Sequence, residues 1–344
     1  MSDTPKQKLA HLKALAERNP FEIFDPRLAE SLTTILAGGT QPYAGMPTLL
    51  DAPHRESLEG LDIALIGVPF DLGVTNRPGA RFGPRSVRAM ERTPTFHHES
   101  HVLPFTAAEI ADVGDVMLEK RYALDDAIAE IQAYYHRVID AGVIPLTVGG
   151  DHSITYPILE AVGREKSVGL VHFDAHCDTA GDFGGSRFHH GGPFLNAALA
   201  GVLDPERTIQ IGIRGSAEMI WRFSYDSGMT VIHIEELRDK GVPYVIEKIH
   251  EVVGDGPTYI SFDVDGLDPT YAPGTGTPEV GGMTPIETAQ MIRSLHDLNL
   301  VGGDVVEIAP QYDPTDNTAM VGSSMLFEIL CVLCQSLERQ KQAT

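Results

Sequence analysis

The stretch VHFDAHCDT at positions 171–179 constrains this chain most, because an apolar run passes directly into charged side chains. Asp174, His176 and Asp178 follow the run on alternate positions. Alternate side chains of an extended segment point to the same side, so all three can approach one point. Burying two carboxylates and an imidazole without partners costs several kcal/mol. The sequence therefore predicts a positive charge beside them, and a metal ion is the simplest candidate.

Two other apolar runs end in the same way. One places His152 after a pair of glycines that permit a tight turn, and the other carries Asp263 and Asp265 on alternate positions. Any one of these clusters alone could be a capped turn or a strand end. Six potential ligands at the ends of three strand-like runs favour a functional site instead, because charges perturbed by burial cluster at such sites.

Strand-like and helix-like segments alternate from residue 61 onward. The predicted strands are 61–68, 143–148, 168–173, 208–213, 230–234, 258–264 and 304–308, and the predicted helices include 124–141, 244–253 and 285–298. This alternation predicts an α/β protein with a mostly parallel sheet that is covered by helices on both faces. Ligands of such sheets bind beyond the carboxyl ends of the strands, where the candidate ligands lie.

Residues 1–60 differ from the rest of the chain. A charged helix-like segment at 6–18 leads into a stretch that contains glycine and proline. We interpret 1–60 as an arm that packs on the core or on a neighbouring subunit. No linker or low-complexity tract divides the remainder, so 61–344 is predicted to be one catalytic domain.

Composition bears on partners and location. The net charge of −22 argues against nucleic-acid binding and suits a small cationic substrate, although solubility alone would also explain it. The beginning of the chain lacks the apolar core of a secretory signal, and no apolar run is expected to span a bilayer. Three cysteines cannot form a disulfide framework. We expect a cytoplasmic protein without nucleic-acid or membrane partners.

The segments GGDHS, DAHCDT and SFDVDGLDP resemble the signature motifs of the ureohydrolase superfamily, which includes arginases, agmatinases and guanidinobutyrases. Their order and spacing match over about 60–335. The segments GVPFD, RPGARFGP and DVVEIAP are more similar to the agmatinase-like branch. The resemblance implies a three-layer α/β/α arginase-like fold, two divalent metal ions and a homo-oligomer, either a trimer or a hexamer. A hetero-oligomer with a paralogue is the alternative.

The resemblance also implies a ligand set. One ion would be bound by His152, Asp174, Asp178 and Asp263, and the other by His176, Asp174, Asp263 and Asp265, so that Asp174 and Asp263 bridge. Four carboxylates balance the charge of two divalent cations. This oxygen-rich set suits Mn²⁺, with Ni²⁺ and Co²⁺ as alternatives. Hydroxide held between the ions would attack the substrate carbon.

Two further residues receive roles from the resemblance. His190 matches the histidine that delivers a proton to the departing amine, and imidazole titrates in the right range for that task. The adjacent His189 is the alternative. Glu307 matches the glutamate that binds the guanidinium, because a carboxylate can pair with that planar group. A structural salt bridge is the alternative role for Glu307.

Departures from the family pattern bear on the substrate. Arginases carry an asparagine where this chain has Ala180, which argues against arginine, and Gly192 leaves more room than the bulkier residue of agmatinases. The segments 180–188 and 219–225 are candidates for the pocket mouth. Arg187 or Arg222 could pair with the carboxylate of a guanidino acid.

The leading hypothesis is hydrolysis of a C–N bond in a guanidino compound, with urea or a urea-like product and an amine as products. Agmatine, 4-guanidinobutyrate, guanidine and N-alkylated guanidines or biguanides remain open as substrates. A formimino or amidine hydrolase of the same superfamily is one alternative. A non-catalytic partner subunit is another, and the retention of all six ligands argues against it.

Overall fold

The structure is a computed structural model that describes residues 4–17, 44–90, 97–215 and 220–343. Its strands are β1 (Ile63–Val68), β2 (Ile110–Asp115), β3 (Ile144–Gly149), β4 (Val168–Phe173), β5 (Leu203–Ile213), β6 (Thr230–His233), β7 (Pro257–Asp263) and β8 (Asn299–Val306). They form one sheet in the order β2-β1-β3-β8-β7-β4-β5-β6. Every neighbouring pair among these strands is parallel.

Helices cover both faces of the sheet. The helices among the described residues are α1 (Pro5–Ala16), α2 (Gly83–Arg88), α3 (Pro104–Ala107), α4 (Leu124–Asp140), α5 (Thr155–Val162), α6 (Pro193–Leu199), α7 (Arg222–Ser227), α8 (Ile234–Lys240), α9 (Val242–Val253), α10 (Pro285–Arg293) and α11 (Asn317–Ala343). Buried side chains of α4, α5 and α6 form one core, and those of α8 to α11 form the other. The predicted three-layer α/β/α fold is confirmed.

Strand β1 shows how the sheet serves two cores at once. Ile63 and Leu65 belong to the core beneath α8 to α11, whereas Ala64, Ile66 and Val68 belong to the core beneath α4 to α6. Successive side chains of a strand point to opposite faces. A parallel strand buried on both faces must therefore be apolar throughout, and all five of these side chains are fully buried.

The strand order places the carboxyl ends of β3, β8, β7 and β4 side by side. At this edge Asp263 of β7 is level with Val306 of β8, and Phe173 of β4 is level with Phe262 of β7. Each candidate metal ligand lies at the end of β7 or shortly after β3, β4 or β7. The topology alone therefore brings three distant parts of the chain to one place.

The predicted strands are present, but several of their ends differ. Strand β8 spans Asn299–Val306 rather than 304–308, and the predicted helix at 285–298 ends at Arg293 and continues as a 3₁₀ turn. Glycines concealed the start of β8 in the sequence. A Cβ added to Gly302 would lie 2.9 Å from the Tyr259 ring, so close packing of β8 against β7 requires glycine there.

Strand β2 was missed, because its sequence IADVGD contains two aspartates and a glycine. Asp112 is 1% exposed and is compensated by hydrogen bonds. Its carboxylate accepts from Arg88 Nε at 2.8 Å and Arg88 Nη2 at 3.0 Å, and from the Leu49 amide at 2.8 Å. A buried ion pair thus replaces the apolar pattern that identifies a strand.

Helix α11 corrects one expectation. By length and composition it could cross a bilayer, whereas the sequence was expected to contain no such segment. However, 72% of its most apolar window is buried within the protein, as in the core helix of a globular domain. Cys331 and Cys334 are both buried in it.

Only parts of the proposed arm lie within the described residues. Helix α1 has no buried side chain, whereas Leu49 and Leu50 are fully buried in the core. Residues 18–43, which connect these two parts of the arm, lie outside the described residues. The division of the chain at residue 60 therefore stays a prediction.

Replacing Leu330 by alanine is expected to destabilise the fold by about 2–5 kcal/mol, because it leaves a cavity in a close-packed core. Leu330 is fully buried in α11. Met320, on the same helix, is 53% exposed, so Met320→Ala is the matched control and should change the free energy of unfolding little. Urea denaturation of both variants tests this. Equal effects would contradict the placement of α11 against the sheet.

Candidate metal centre and active site

A tight turn after β3 directs the first candidate ligand into the site. His152 begins a 3₁₀ turn, and Asp151 caps the turn by accepting a hydrogen bond from the Ser153 amide at 3.0 Å. The preceding glycine is required by the close approach of another backbone segment. A Cβ on Gly150 would lie 2.4 Å from the Phe70 carbonyl oxygen, which no side chain could tolerate.

The turns after β7, β4 and β8 are equally constrained. Asp263 caps the turn after β7 by accepting from the Asp265 amide at 2.8 Å. Asp178 and Glu307 have positive φ angles of 51° and 65°. This left-handed conformation costs a non-glycine residue about 1–2 kcal/mol. Such strain concentrates at functional sites, and both residues were candidates from the sequence.

His152 faces three carboxylates. Its Nδ1 atom lies 2.9 Å from Asp178 Oδ2, 3.2 Å from Asp174 Oδ2 and 3.3 Å from Asp263 Oδ2. All four side chains are buried. Nevertheless, Nδ1 has no hydrogen-bond partner of acceptable geometry. One nitrogen and three oxygen atoms thus surround a single point.

The opposite edge of the His152 ring defines which nitrogen carries the proton. Nε2 lies 2.8 Å from Ser261 Oγ, and that hydroxyl donates to Asp304 Oδ1 at 2.7 Å. The serine oxygen must therefore accept from Nε2–H. In the neutral ring, Nδ1 then presents a lone pair to three carboxylates, an arrangement that needs a cation between them.

A second cluster adjoins the first. His176 Nδ1 lies 3.2 Å from Asp265 Oδ2 and 3.4 Å from Asp174 Oδ1. One ligand atom from each of these three residues lies within 4.8 Å of the others, so the group could hold a metal ion. Asp174 contributes one oxygen to each cluster, as the bridging role requires.

The pKa values show how strongly the cluster attracts positive charge. Burial lowers the pKa of His152, but its three carboxylate neighbours outweigh burial and raise the pKa well above its ordinary value. The same balance raises the pKa of His176. Burial, followed by the charges of Asp265 and Asp174, raises the pKa of Asp263 well above its usual range. Burial raises the pKa of Asp265 to about 6.

Charge balance makes the residues fit two divalent cations. Even with both imidazoles protonated, two of the four carboxylates would remain without a balancing charge. Buried charges need partners, and a hard, oxygen-rich set with two imidazoles suits divalent transition metals. His152 Nδ1, which lacks a hydrogen-bond partner, is oriented as a metal ligand would be.

His172 supports the cluster and was not identified from the sequence. Its Nε2 lies 2.8 Å from Asp174 Oδ2, and its Nδ1 lies 3.2 Å from Gln210 Nε2. The glutamine amide can only donate, so Nδ1 accepts and Nε2–H donates to Asp174. Such outer hydrogen bonds orient metal ligands.

His190 and Glu307 lie together at the edge of the site. His190 Nδ1 is 2.9 Å from Glu307 Oε1, and His190 Nε2 is 2.6 Å from Thr75 Oγ1. Burial lowers the pKa of His190, but Glu307 outweighs burial and raises it to about 9. Glu307 Oε2 is buried without a partner. The neighbouring His189 contacts the backbone instead, since its Nε2 lies 2.8 Å from the Gly181 carbonyl oxygen.

A cavity of about 210 Å³ opens above the cluster. Its wall contains four candidate ligands, both histidines of the 189–190 pair, and apolar or hydroxyl side chains farther out. The lining residues are Thr75, His176, Asp178, Ala180, Phe183, His189, His190, Gly191, Ile220, Asp263, Asp265 and Thr277. Glu307 is not among them. Arg187 and Arg222, the candidates for binding a substrate carboxylate, do not line it either.

Both arginines have other partners. The guanidinium of Arg187 lies 4.5 Å from the centre of the Phe188 ring. Arg222 Nε pairs with Asp226 Oδ2 at 3.0 Å on an exposed face of α7. The expectation that one of them completes the pocket therefore has no support in this geometry.

The sequence carried a signal for some of the missed residues. His172 is the one polar residue of β4, and Ser261 lies between the apolar residues Ile260 and Phe262 of β7. In a strand buried on both faces, a polar side chain needs a specific partner. Thr75 carried no such signal, because it lies in a loop and only the fold brings it to His190.

Comparison with known proteins identifies the class. A sequence model of the Arginase family matches residues 61–332. Guanidinopropionase of Pseudomonas aeruginosa is 47% identical over 301 residues, which cover 86% of this chain and 94% of that protein. Mitochondrial agmatinase of Gallus gallus is 47% identical over 293 residues, which cover 84% and 86% respectively.

The fold comparison agrees. The structure of proclavaminate amidino hydrolase from Streptomyces clavuligerus matches with a TM-score of 0.83 at 34% identity, covering 86% of this chain and 100% of that one. This chain belongs to the arginase family of dinuclear metal enzymes. Within that family it lies in the agmatinase-like branch.

Metal affinity is expected to fall at acid pH. Protons compete with metal for carboxylate ligands, and in the cation-free protein the pKa of Asp265 is about 6. As the pH falls through that value, the apparent Kd for Mn²⁺ should rise by about tenfold per pH unit for each proton displaced. Calorimetric titration at several pH values measures this. A Kd that is constant on both sides of pH 6 would contradict competition between protons and metal at this cluster.

Replacing His172 by asparagine is expected to weaken metal binding by about 10–100-fold, because Asp174 loses the group that orients it. His296→Asn is the matched control, since His296 is exposed and its Nδ1 lies 3.0 Å from the Arg293 carbonyl oxygen. Metal titration of both variants is the measurement. If His172→Asn binds metal as the wild type does, the supporting role is wrong.

Proposed function

We propose that this protein hydrolyses a C–N bond of a guanidino compound, releasing urea or a urea-like product together with an amine. The central support is the lone pair of His152 Nδ1, which faces three buried carboxylates beside a second imidazole–carboxylate cluster. Membership of the arginase family agrees with it.

We further propose that His152, Asp174, His176, Asp178, Asp263 and Asp265 hold two divalent metal ions, most readily Mn²⁺. Ni²⁺ and Co²⁺ are the alternative ions for the same donors. Two bound ions would supply a strong nucleophile derived from water near neutral pH. The protein fixes its donors through the hydrogen bonds of Ser261 and His172, so little reorganisation is needed when the ions bind.

Glu307 is proposed to hold the substrate guanidinium. Its Oε1 already accepts from the His152 amide at 2.8 Å and from His190 Nδ1 at 2.9 Å. Oε2 is buried and has no partner. A guanidinium N–H group that reached this oxygen from the cavity would donate to it, and charge-assisted bonds of this kind are strong. The guanidinium would thereby also gain a neutralising charge.

His190 is proposed to deliver the proton that the leaving amine needs. An amine cannot depart as an anion, so the C–N bond breaks only as its nitrogen is protonated. His190 lines the cavity, and Glu307 stabilises its charged form. His189 also lines the cavity, but its Nε2 is engaged by a backbone carbonyl. The contact between His190 Nδ1 and Glu307 supports His190 for this role.

We propose a cytoplasmic homo-oligomer, either a trimer or a hexamer, in which residues 1–60 pack on the core or on a neighbouring subunit. All three cysteines are buried and form no disulfide with one another, which suits a reducing compartment. A hetero-oligomer with a paralogue is the alternative assembly.

The reaction is tested by product analysis after reconstitution with Mn²⁺ or Ni²⁺. Agmatine, 4-guanidinobutyrate, guanidine and N-alkylated guanidines or biguanides form the substrate panel. Urea or a urea-like product plus an amine supports the proposal. Formamide from a formimino compound would indicate the amidine hydrolase instead. No turnover by a fully metal-loaded protein would indicate a non-catalytic subunit.

Replacing Asp263 by asparagine should reduce turnover by about 10²-fold or more, because a ligand matters at least as much as the groups that orient it. Bound metal should fall in parallel. Asp255→Asn is the control, since Asp255 lies on an exposed turn remote from the cluster. Turnover rates and metal content are measured on the same samples. Full metal occupancy with retained turnover would refute the bridging role of Asp263.

A further inference from the structure

The outer wall of the cavity is apolar. Beyond the candidate ligands it is formed by Ala180, Phe183, Gly191 and Ile220. Phe183 is 61% exposed and Ile220 is 45% exposed. Two large apolar side chains at the entrance of one cavity differ from apolar residues scattered singly over a surface, which need no explanation. They form a wall against which an apolar group can be buried.

The polar side chains of the outer wall already have partners. Thr75 Oγ1 is 2.6 Å from His190 Nε2, Thr277 Oγ1 donates to Asp265 Oδ2 at 3.1 Å, and His189 Nε2 is held by a backbone carbonyl. His189 Nδ1 has no partner. As the lone-pair nitrogen of a ring whose Nε2 carries the proton, it cannot donate to a carboxylate.

The described part of the cavity entrance offers no oppositely charged side chain to a carboxylate or an ammonium group of a substrate. Among the described residues, the lining contains no lysine or arginine, and its carboxylates all belong to the candidate metal ligands. Arg187 and Arg222 are engaged elsewhere.

We propose that the part of the substrate that projects from the guanidinium is uncharged and apolar, so that this site prefers an N-alkylguanidine to a guanidino acid or to agmatine. This inference rests on the proposed guanidino hydrolysis. Phe183 and Ile220 are its specificity-determining residues. A carboxylate end group would lose water at this wall without gaining a partner, and an ammonium end group would find only the buried Nδ1 of His189, so either loss of water costs binding free energy.

A matched panel of substrates tests the inference. N-butylguanidine, agmatine and 4-guanidinobutyrate share the guanidinium and a chain of similar length, but they end in a methyl, an ammonium and a carboxylate group. For the metal-loaded full-length protein, kcat/KM for N-butylguanidine should exceed both other values by at least about tenfold. If either charged compound is hydrolysed as efficiently, the inference is wrong while the proposed function stands. If none of the three releases urea, the inference fails, and the proposed function fails with it only if guanidine and the biguanides are not hydrolysed either.

Variants at the entrance locate the source of the preference. Ile220→Arg should raise the ratio of kcat/KM for 4-guanidinobutyrate over N-butylguanidine by about tenfold or more, because it supplies the missing cation. Ile286→Arg is the matched control, since Ile286 is 61% exposed on α10 and outside the cavity. It should leave the ratio unchanged. An unchanged ratio in Ile220→Arg would show that Ile220 does not face the substrate.

Phe183→Ser provides an independent variant. Loss of the ring should lower kcat/KM for N-butylguanidine by about tenfold, through KM more than kcat, because it removes uniform binding of the alkyl group. Tyr122→Ser removes an aromatic ring that is 82% exposed away from the cavity and should have no such effect. Equal kinetics of Phe183→Ser and the wild type would overturn the role of this wall.

Discussion

This structure depends on the attraction between its buried carboxylates and the positive charge that they require. Four aspartates and two histidines lie at one edge of the sheet, and protonation of the histidines cannot neutralise them. The fold accepts this unfavourable cluster because β3, β8, β7 and β4 are adjacent and parallel. Their carboxyl ends therefore converge, and the turns that follow them aim the side chains at shared points. Divalent cations would convert this repulsion into attraction.

The hydrogen bonds around the cluster explain why it keeps its shape. Ser261 and Asp304 fix the proton of His152 on Nε2 and leave Nδ1 for the site. On the other side, His172 holds a carboxylate oxygen of Asp174. These residues belong to strands rather than loops. The ligands are thus supported by the most rigid part of the fold, as an accurately placed reaction site requires.

Much of the architecture could be predicted from the sequence, since continuous apolar runs reveal parallel strands directly. The alternate spacing around Asp174 and Asp263 likewise indicated the cluster before any coordinates. Other features depended on tertiary context. Strand β2 was hidden because Asp112 is paired with Arg88, and Thr75 meets His190 only through folding. The expectation for Arg187 and Arg222 failed because proximity in sequence does not determine which side chains line a cavity.

The site also separates reaction from recognition. The charged residues at the bottom of the cavity can act on any guanidinium, whereas the apolar entrance formed by Phe183 and Ile220 selects the group that is attached to the guanidinium. Reaction and recognition both depend on cations at the bottom of the cavity. Anomalous diffraction from crystals of the Mn²⁺-reconstituted protein tests that requirement most directly. Two peaks are expected, one beside His152 Nδ1 and one beside His176 Nδ1. The absence of peaks within the cluster at full reconstitution would contradict the dinuclear site and the hydrolysis that rests on it.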